Sequence, residues 1–448
     1  MSFSVTPLSE KHARPESKET HPSALNNVVG ERDISSGNGV PQSPNPPTKP
    51  DGGFMAWMQV VGGFTLFFNS WGILSAFGVF QTTYESGALF SESSSNISWI
   101  GAVQYCTAMV TGFWAGPVYD RGYLRTLLVI GTTCVVVGHM LLSLCHAYWQ
   151  VVLAEGFVIG TGAGCLFLVC ISTLPQYFDK NLGLAAGIAS SGSSFGGIIY
   201  PIVFFQSVDR VGFSWAVRII GFIALVTLMV PLFVMKARGK PGNPRSFVDW
   251  TAFRDGRYMT FVAGTVFGSA SVLILNTYIS YFGQNRSLLD NAMSFYIVSV
   301  FNAASCVGRI LPNFISDTFG PFNIFAPFMF ITGAAALCMI AVQSEGGLIA
   351  MSIVLGFLSG VFPSMPPVCF ARLTNDKSKL GTRMGMGYSM SSLGYLAGAP
   401  GAGAILGTVA PLEWTGLWIY CGMASFASGS IYAAIRIYNT GWKFRVKA

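Results

Sequence analysis

The chain has 448 residues and a net charge of +7; 52% of its residues are hydrophobic, only 10% are charged, and its mean hydropathy is +0.53. A soluble domain carries about 25% charged residues, so a single water-soluble globule is excluded and the apolar surplus must face lipid. The positive charge is explained by its placement along the chain, described below, and calls for no nucleic-acid partner.

Residues 1–50 come first and differ from the rest. They are polar, rich in Pro, Ser and Asn ("GNGVPQSPNPPTKP"), and read as a disordered cytoplasmic tail that cannot repay its ordering entropy. They lack the apolar stretch of a cleavable signal peptide. Apolar runs then recur at 54–82, 95–118, 124–144, 148–175, 181–206 and 213–235, and after a polar break at 258–283, 291–313, 321–343, 346–371, 378–407 and 414–438. Each is near the ~20 residues that cross a hydrocarbon core of about 30 Å. Such runs must be helices, because lipid offers no partner to an open sheet edge. The expected fold is an all-α multi-pass membrane protein with twelve transmembrane helices in two six-helix pseudo-repeats. Its parts are an N-terminal bundle over 51–235, a cytoplasmic linker over 236–257, a C-terminal bundle over 258–438 and a cytoplasmic tail over 439–448.

Charge sets the orientation. With the N-terminus inside, 22 of the 26 Lys and Arg fall in cytoplasmic segments or at their edges; Arg210 and Arg286 fall outside, and Arg218 and Arg309 fall within spans. This asymmetry puts both termini in the cytoplasm. The plasma membrane is the expected host, with the vacuole or another internal membrane as the alternative. The sequons at Asn96 and Asn285 fall in outer segments close to the bilayer and are weak glycosylation candidates. The nine cysteines lie in or at the ends of apolar runs without a Cys-x-x-Cys pair, and the four histidines are scattered. We therefore expect no metal, no cofactor and no enzyme.

The fifth and eleventh spans share a pattern at an offset of 198 residues. Leu182, Gly183, Gly187, Ser193, Ser194 and Gly196 match Leu380, Gly381, Gly385, Ser391, Ser392 and Gly394, and both stretches then reach a proline, Pro201 and Pro400. A duplicated six-helix unit explains this; an even number of spans per copy puts the axis along the membrane normal. Glycines four apart, such as Gly183 and Gly187 or Gly381 and Gly385, share a helix face. Such a face lets backbones approach closely and would let one half rock against the other, which makes these four candidate gating positions.

Two halves of six spans joined by a cytoplasmic linker resemble the major facilitator superfamily. Asp51-Gly52-Gly53-Phe54 followed by Trp57, and Tyr177-Phe178-Asp179-Lys180 followed by Leu184, Ala185, Gly187, Ser190, Gly192 and Gly196, resemble two signatures of its monocarboxylate porter family, fungal members above all. The resemblance covers roughly residues 51–440. Gly116 through Asp120, Arg121, Gly122 and Arg125 resemble the superfamily's cytoplasmic Gly-x-x-x-Asp-Arg motif, with Tyr123 where a second glycine is usual. Arg309 to Asp317 is a weaker echo in the second half. The resemblance implies gating roles for Asp120, Arg121, Arg125 and Asp317.

Polar groups within spans are the candidates for substrate work, because their burial in lipid is costly. Arg309 lies where the resembled family meets a substrate carboxylate, and a guanidinium grips that group with two parallel bonds; snorkelling or pairing with Asp317 is the structural alternative. Glu155 is the candidate coupling acid, for protons or another coupling ion, or else a hydrogen-bonding group near the outer interface. Asn69, Asn276, Tyr278, Asn302 and Tyr388 either line the substrate cavity or tie helices together. Pro363, Pro366 and Pro367 predict a kink in the tenth span. In animal members of the resembled family an Asp precedes the membrane Arg by four residues and a Lys lies late in the first span. Here those places hold Ser305 and, within a residue, Ser75, so lactate-type proton symport through them is not expected.

The expected function is a secondary active transporter. It moves a small organic solute, monocarboxylate-like or a secondary metabolite for efflux, by alternating access. A non-transporting nutrient receptor on the same fold is the alternative, and a membrane enzyme is disfavoured because no nucleophile–base pair is visible.

Overall fold

A computed structural model describes residues 52–441, apart from 88, 179–181, 239–245, 375, 377–378 and 409–410. The expected tail, Asp51, Asp179, Lys180, Arg245 and residues 442–448 lie outside the described residues, as do the surroundings of Gly183 and the side chain of Asp317.

Helices occupy the places the apolar runs mark. In chain order they are α1 (Phe54–Asn69), α2 (Trp71–Ser75), α3 (Phe77–Glu85), α4 (Ser94–Asp120), α5 (Leu124–Leu142), α6 (Tyr148–Val151), α7 (Gly160–Tyr177) and α8 (Leu182–Val234). After the polar segment come α9 (Gly256–Asn285), α10 (Asn291–Phe319), α11 (Pro321–Cys338), α12 (Glu345–Ser359), α13 (Val361–Ser364), α14 (Pro366–Leu373), α15 (Leu380–Leu406) and α16 (Trp414–Thr440). Among the described residues no strand is present. Among the described residues eight helical segments are long and apolar enough to cross a bilayer: Phe54–Glu85, Leu124–Leu142, Tyr148–Tyr177, Leu184–Val234, Gly256–Asn285, Tyr296–Ser316, Pro321–Ala341 and Glu345–Leu373. In Phe54–Glu85 78% of the most apolar stretch is buried, against 33% in Leu184–Val234. The first is thus a central helix, while the second turns most of an apolar face, including Phe222, Val226 and Phe233, outward, as lipid contact requires.

Three interruptions shape these helices. The predicted proline kink is real: α12, α13 and α14 are separate segments, broken at Gly360 and Met365. The first run was expected to be continuous but breaks at Ser70 and Ala76. There the side chains of Asn69 and Ser70 bond the carbonyls of Thr65 and Leu66 at 2.8 and 2.7 Å, competing with the backbone ladder. Gly212, at φ 77°, interrupts α8 in a conformation that favours glycine. Between α6 and α7 the chain runs through a π-helix, Val152–Ile159.

The small faces have a visible use. α8 packs on α1 and α2, and α15 packs on α9. A Cβ at Gly196 would lie 2.5 Å from the Phe68 carbonyl oxygen and 2.7 Å from Gly72 Cα. One at Gly394, the position 198 residues on, would collide with the Val266 carbonyl. Gly192 is equally tight against the Phe64 carbonyl, whereas Gly187 faces open space. Close approach thus centres on Gly192 and Gly196, roughly one and a half and two and a half turns beyond Gly187. Gly394→Leu should lower stability by about 1–3 kcal/mol, as overpacking does. A melting midpoint unchanged from wild type would show that α9 and α15 can separate without cost.

Candidate functional site

The N-terminal helices meet the C-terminal ones along α4 with α15, α8 with α10, and α3 with α9. Where they converge lies a small cavity of about 20 Å³, lined by Trp71 and Ser75 of α2, Tyr105 of α4, Asn276 of α9, Asn302, Ser305 and Arg309 of α10, Pro363 of α13 and Tyr395 of α15. Breaks at Ser70, Ala76 and Gly360 allow short segments to turn into this space. Arg309 is 4% exposed. Its Nε donates to Ser305 Oγ at 3.4 Å, and its Nη1 donates to Ser193 Oγ of α8. Nη2 makes no hydrogen bond, and no carboxylate pairs with the guanidinium, among the described residues. Asp317 is eight residues away, about 12 Å along the helix. Arg309 is therefore a buried cation held by hydroxyls, which leaves room in its coordination for an anion. Ser305 and Ser75, the two positions singled out from the sequence, line the same cavity.

A larger cavity of about 290 Å³ lies between α4, α7 and α15. It runs from Met109, Phe167 and Tyr388 inside to Asp120, Gln176, Ser246 and Thr382 at the helix ends. Phe167 separates the two spaces: its ring is 5.5 Å from Trp71 and 6.0 Å from Tyr388. The Tyr388 hydroxyl is buried without a partner.

Of the other predicted residues, some line these cavities and some tie helices. Asn276 and Asn302 line the small cavity, each donating to the carbonyl one turn back, Val272 and Val298. Asn69 is a tie: its amide bonds Thr227 at 2.8 Å and accepts from Tyr200 at 2.7 Å, joining α1 to α8. Tyr278 sits at the opposite end from the large cavity, bonded to Ser98 at 2.5 Å and to the Ala399 carbonyl at 3.0 Å. Beside it Thr82 meets Ser280 at 3.1 Å, and Ser95 meets the Pro400 carbonyl at 3.0 Å. These bonds join α3 and α4 to α9 and α15, so that end is sealed. Glu155, in the π-helix, is 3% exposed and accepts from Tyr84 at 2.7 Å; it does not line either cavity. Asp120 and Gly385 line the large cavity, Gly381 and Thr382 close its rim, and Arg121 and Arg125 are exposed. Asn96 bonds Glu92 at 2.8 Å, and Asn285 accepts from Trp414 at 2.9 Å, so both sequon amides are engaged at helix ends. Among the described residues no group of three His, Cys, Asp or Glu could hold a metal.

Two features were not foreseen. Glu85, beyond the predicted end of the first run, accepts from Gln81 and Ser94 at 2.6 and 2.5 Å next to the sealed end. The signal was its position one turn past an apolar run. The second is a charge cluster on the polar segment. Asp249 pairs with Arg383 at 3.0 Å and Lys379 at 3.4 Å, and Arg383 also reaches Asp255 at 2.9 Å. Burial alone would raise the Asp249 carboxyl, but hydrogen bonds from Thr251 and Arg383 outweigh it and hold the group at about 2. Phe247 of the same segment packs on Trp114 of α4 at 5.3 Å. The segment is thus docked against both sets of helices at the mouth of the large cavity.

Trp57 of the first signature and Phe178 of the second pack edge to face at 5.5 Å, so the two motifs form one contact. The family profile described as Major Facilitator Superfamily matches residues 60–345. The chain is 54% identical over 381 residues to the MFS-type transporter dbaD of Emericella nidulans, covering 85% of this chain and 86% of that one. It is 32% identical over 437 residues to the MFS-type transporter pynF of Aspergillus niger, covering 96% and 99%. It is 33% identical over 367 residues to the aspyridones efflux protein apdF of Emericella nidulans, covering 82% and 75%. With a helical membrane fold, a buried central site and relatives of this kind, the chain belongs to the Major Facilitator Superfamily and is a transporter.

Proposed function

We propose that this transporter exports an organic anion of secondary metabolism, and that Arg309 binds the anionic group. The buried guanidinium, with no carboxylate partner among the described residues, carries this reading. The relative named as an aspyridones efflux protein supports export, and the meeting of Trp57 with Phe178 agrees with a monocarboxylate-porter pattern. In this reading the eight apolar segments extend to twelve spans: α4, α15 and α16, at 27 residues each, are long enough to cross, and α8, with 53 residues and the Gly212 break, is long enough for two. The halves are 51–235 and 258–438, joined by a linker over 236–257. Matched tight contacts at Gly196 and Gly394 support the duplication, as does the reciprocal pairing of α8 with α10 and α15 with α4. With both termini cytoplasmic, the large cavity opens inward, where an exporter loads its cargo. Asp120, Arg121, Arg125 and Asp317 then serve the cytoplasmic gate, and Tyr278 serves the outer one. Glu155 is the coupling acid, acting through Tyr84 on the outer half of the first span. A gradient drives the cycle, and the plasma membrane, or a vacuolar one, hosts it.

The test is flux in vesicles holding the purified protein, with a panel of organic acids and their methyl esters. Saturable, gradient-driven flux of at least one acid, with its ester excluded, is expected. Esters moving as fast as their acids would remove the anion site from the proposal.

A further inference from the structure

The walls around Arg309 narrow the kind of anion. Trp71 and Tyr105 meet edge to face at 5.7 Å, and Tyr105 and Tyr395 lie 4.8 Å apart with their planes at 34°. All three line the cavity. Flat faces and edges at these spacings complement another aromatic ring, and such contacts add affinity beyond burial. Asn276 supplies a separate observation. Its Nδ2 is engaged with the Val272 carbonyl at 3.2 Å, but its Oδ1 is buried with no partner among the described residues. A buried acceptor left without a donor is destabilising, which a ligand hydroxyl would relieve.

Resting on the reading of Arg309 as an anion site, we propose that the cavity takes a planar aromatic acid bearing a ring hydroxyl. The carboxylate meets Arg309, the ring lies among Trp71, Tyr105 and Tyr395, and the hydroxyl donates to Asn276 Oδ1. The cavity holds about 20 Å³ as it stands and the neighbouring one about 290 Å³. Ligand pockets measure roughly 300 Å³ or more, so the ligand enters by displacing Phe167, the ring between the two spaces. No carboxylate of the described residues competes for Arg309, so the incoming acid replaces only the serine hydroxyls as its partners.

The experiment is equilibrium binding to the purified full-length protein with four probes: 4-hydroxybenzoate, benzoate, cyclohexanecarboxylate and methyl 4-hydroxybenzoate. Benzoate should bind about fivefold tighter than cyclohexanecarboxylate, and 4-hydroxybenzoate about fivefold tighter again. In Asn276→Val the fivefold preference for 4-hydroxybenzoate over benzoate should vanish; Asn276→Ala repeats the measurement if the Val variant does not elute as a single species. Cyclohexanecarboxylate binding as tightly as benzoate would overturn the aromatic assignment. A hydroxyl preference intact in both Asn276 variants would overturn the role of that amide. Equal binding of the ester and the acid would instead sink the Arg309 reading beneath both.

Discussion

Arg309→Gln should abolish transport of the anionic substrate and leave the empty protein at least as stable as wild type. The two halves of this expectation have one cause. Among the described residues the buried guanidinium is held by the Ser193 and Ser305 hydroxyls and by no acid, so removing it relieves a desolvation cost that no described carboxylate offsets. When the anion is bound the same charge is essential. Losing one partner of a buried charge pair costs about 2–5 kcal/mol, or roughly 30-fold to more than 1,000-fold in affinity. Arg309→Lys should fall between the two, because an ammonium keeps the charge but loses the two-pronged geometry. Flux and thermal midpoint, measured on the same preparations, check both halves. Wild-type flux in Arg309→Gln would end the anion-site assignment. A midpoint many degrees lower would mean that the guanidinium holds the helices together rather than the substrate.

The second large effect is expected at the clasp on the polar segment. Arg383→Met should destabilise the protein by about 3 kcal/mol, the lower end of what breaking a buried ion pair costs. Asp249, with a side chain 6% exposed, loses the Arg383 ion pair and keeps the half-exposed Lys379 and its hydrogen bonds from Thr251, while Asp255 loses its ion pair. The double variant Arg383→Met with Asp249→Asn should recover part of that loss, since it no longer buries a carboxylate that has lost its Arg383 partner. Additive single effects in this cycle would show that the pair does not interact. The pH dependence has a definite sign. Asp249 titrates at about 2 in the folded protein, below the ~3.9 of an unfolded chain. Its contribution is therefore complete above about pH 4 and is lost as pH falls toward 2. Stability from this clasp should be flat between pH 5 and 8, so any pH dependence of transport in that range must come from elsewhere. Because Ser246 and Phe247 of the segment border the large cavity, the same variant should also change how readily that cavity opens.

Helix positions were legible in the sequence because lipid imposes a one-dimensional rule: about twenty apolar residues, with every backbone group satisfied inside the segment. The long runs at 95–118, 124–144 and 414–438 therefore coincide with α4, α5 and α16 to within a few residues. Arg309 was legible for the same reason, since a charge inside an apolar run is costly and therefore conspicuous. So were the prolines that divide α12 from α14.

What only the tertiary structure decided is which polar groups meet. Asn69 and Asn276 look alike in sequence, each an amide in an apolar helix. Yet Asn69 is fully engaged with Thr227 and Tyr200, while Asn276 leaves a carbonyl open beside Arg309. Periodicity places a side chain on a face of its own helix but not against a partner more than a hundred residues away. The break at Ser70, which turns Trp71 and Ser75 toward the cavity, depends on side-chain competition for backbone carbonyls that hydropathy does not register. The clasp of Asp249 on Arg383 joins positions 134 residues apart. Composition alone read the first as linker charge and the second as part of the positive-inside bias. The chain's own order of apolar and charged residues was enough to specify a helical membrane protein with a buried cation. Long-range packing decided that this cation faces an aromatic cavity and has no acid partner among the described residues, because those contacts depend on three-dimensional distance rather than on spacing along the chain.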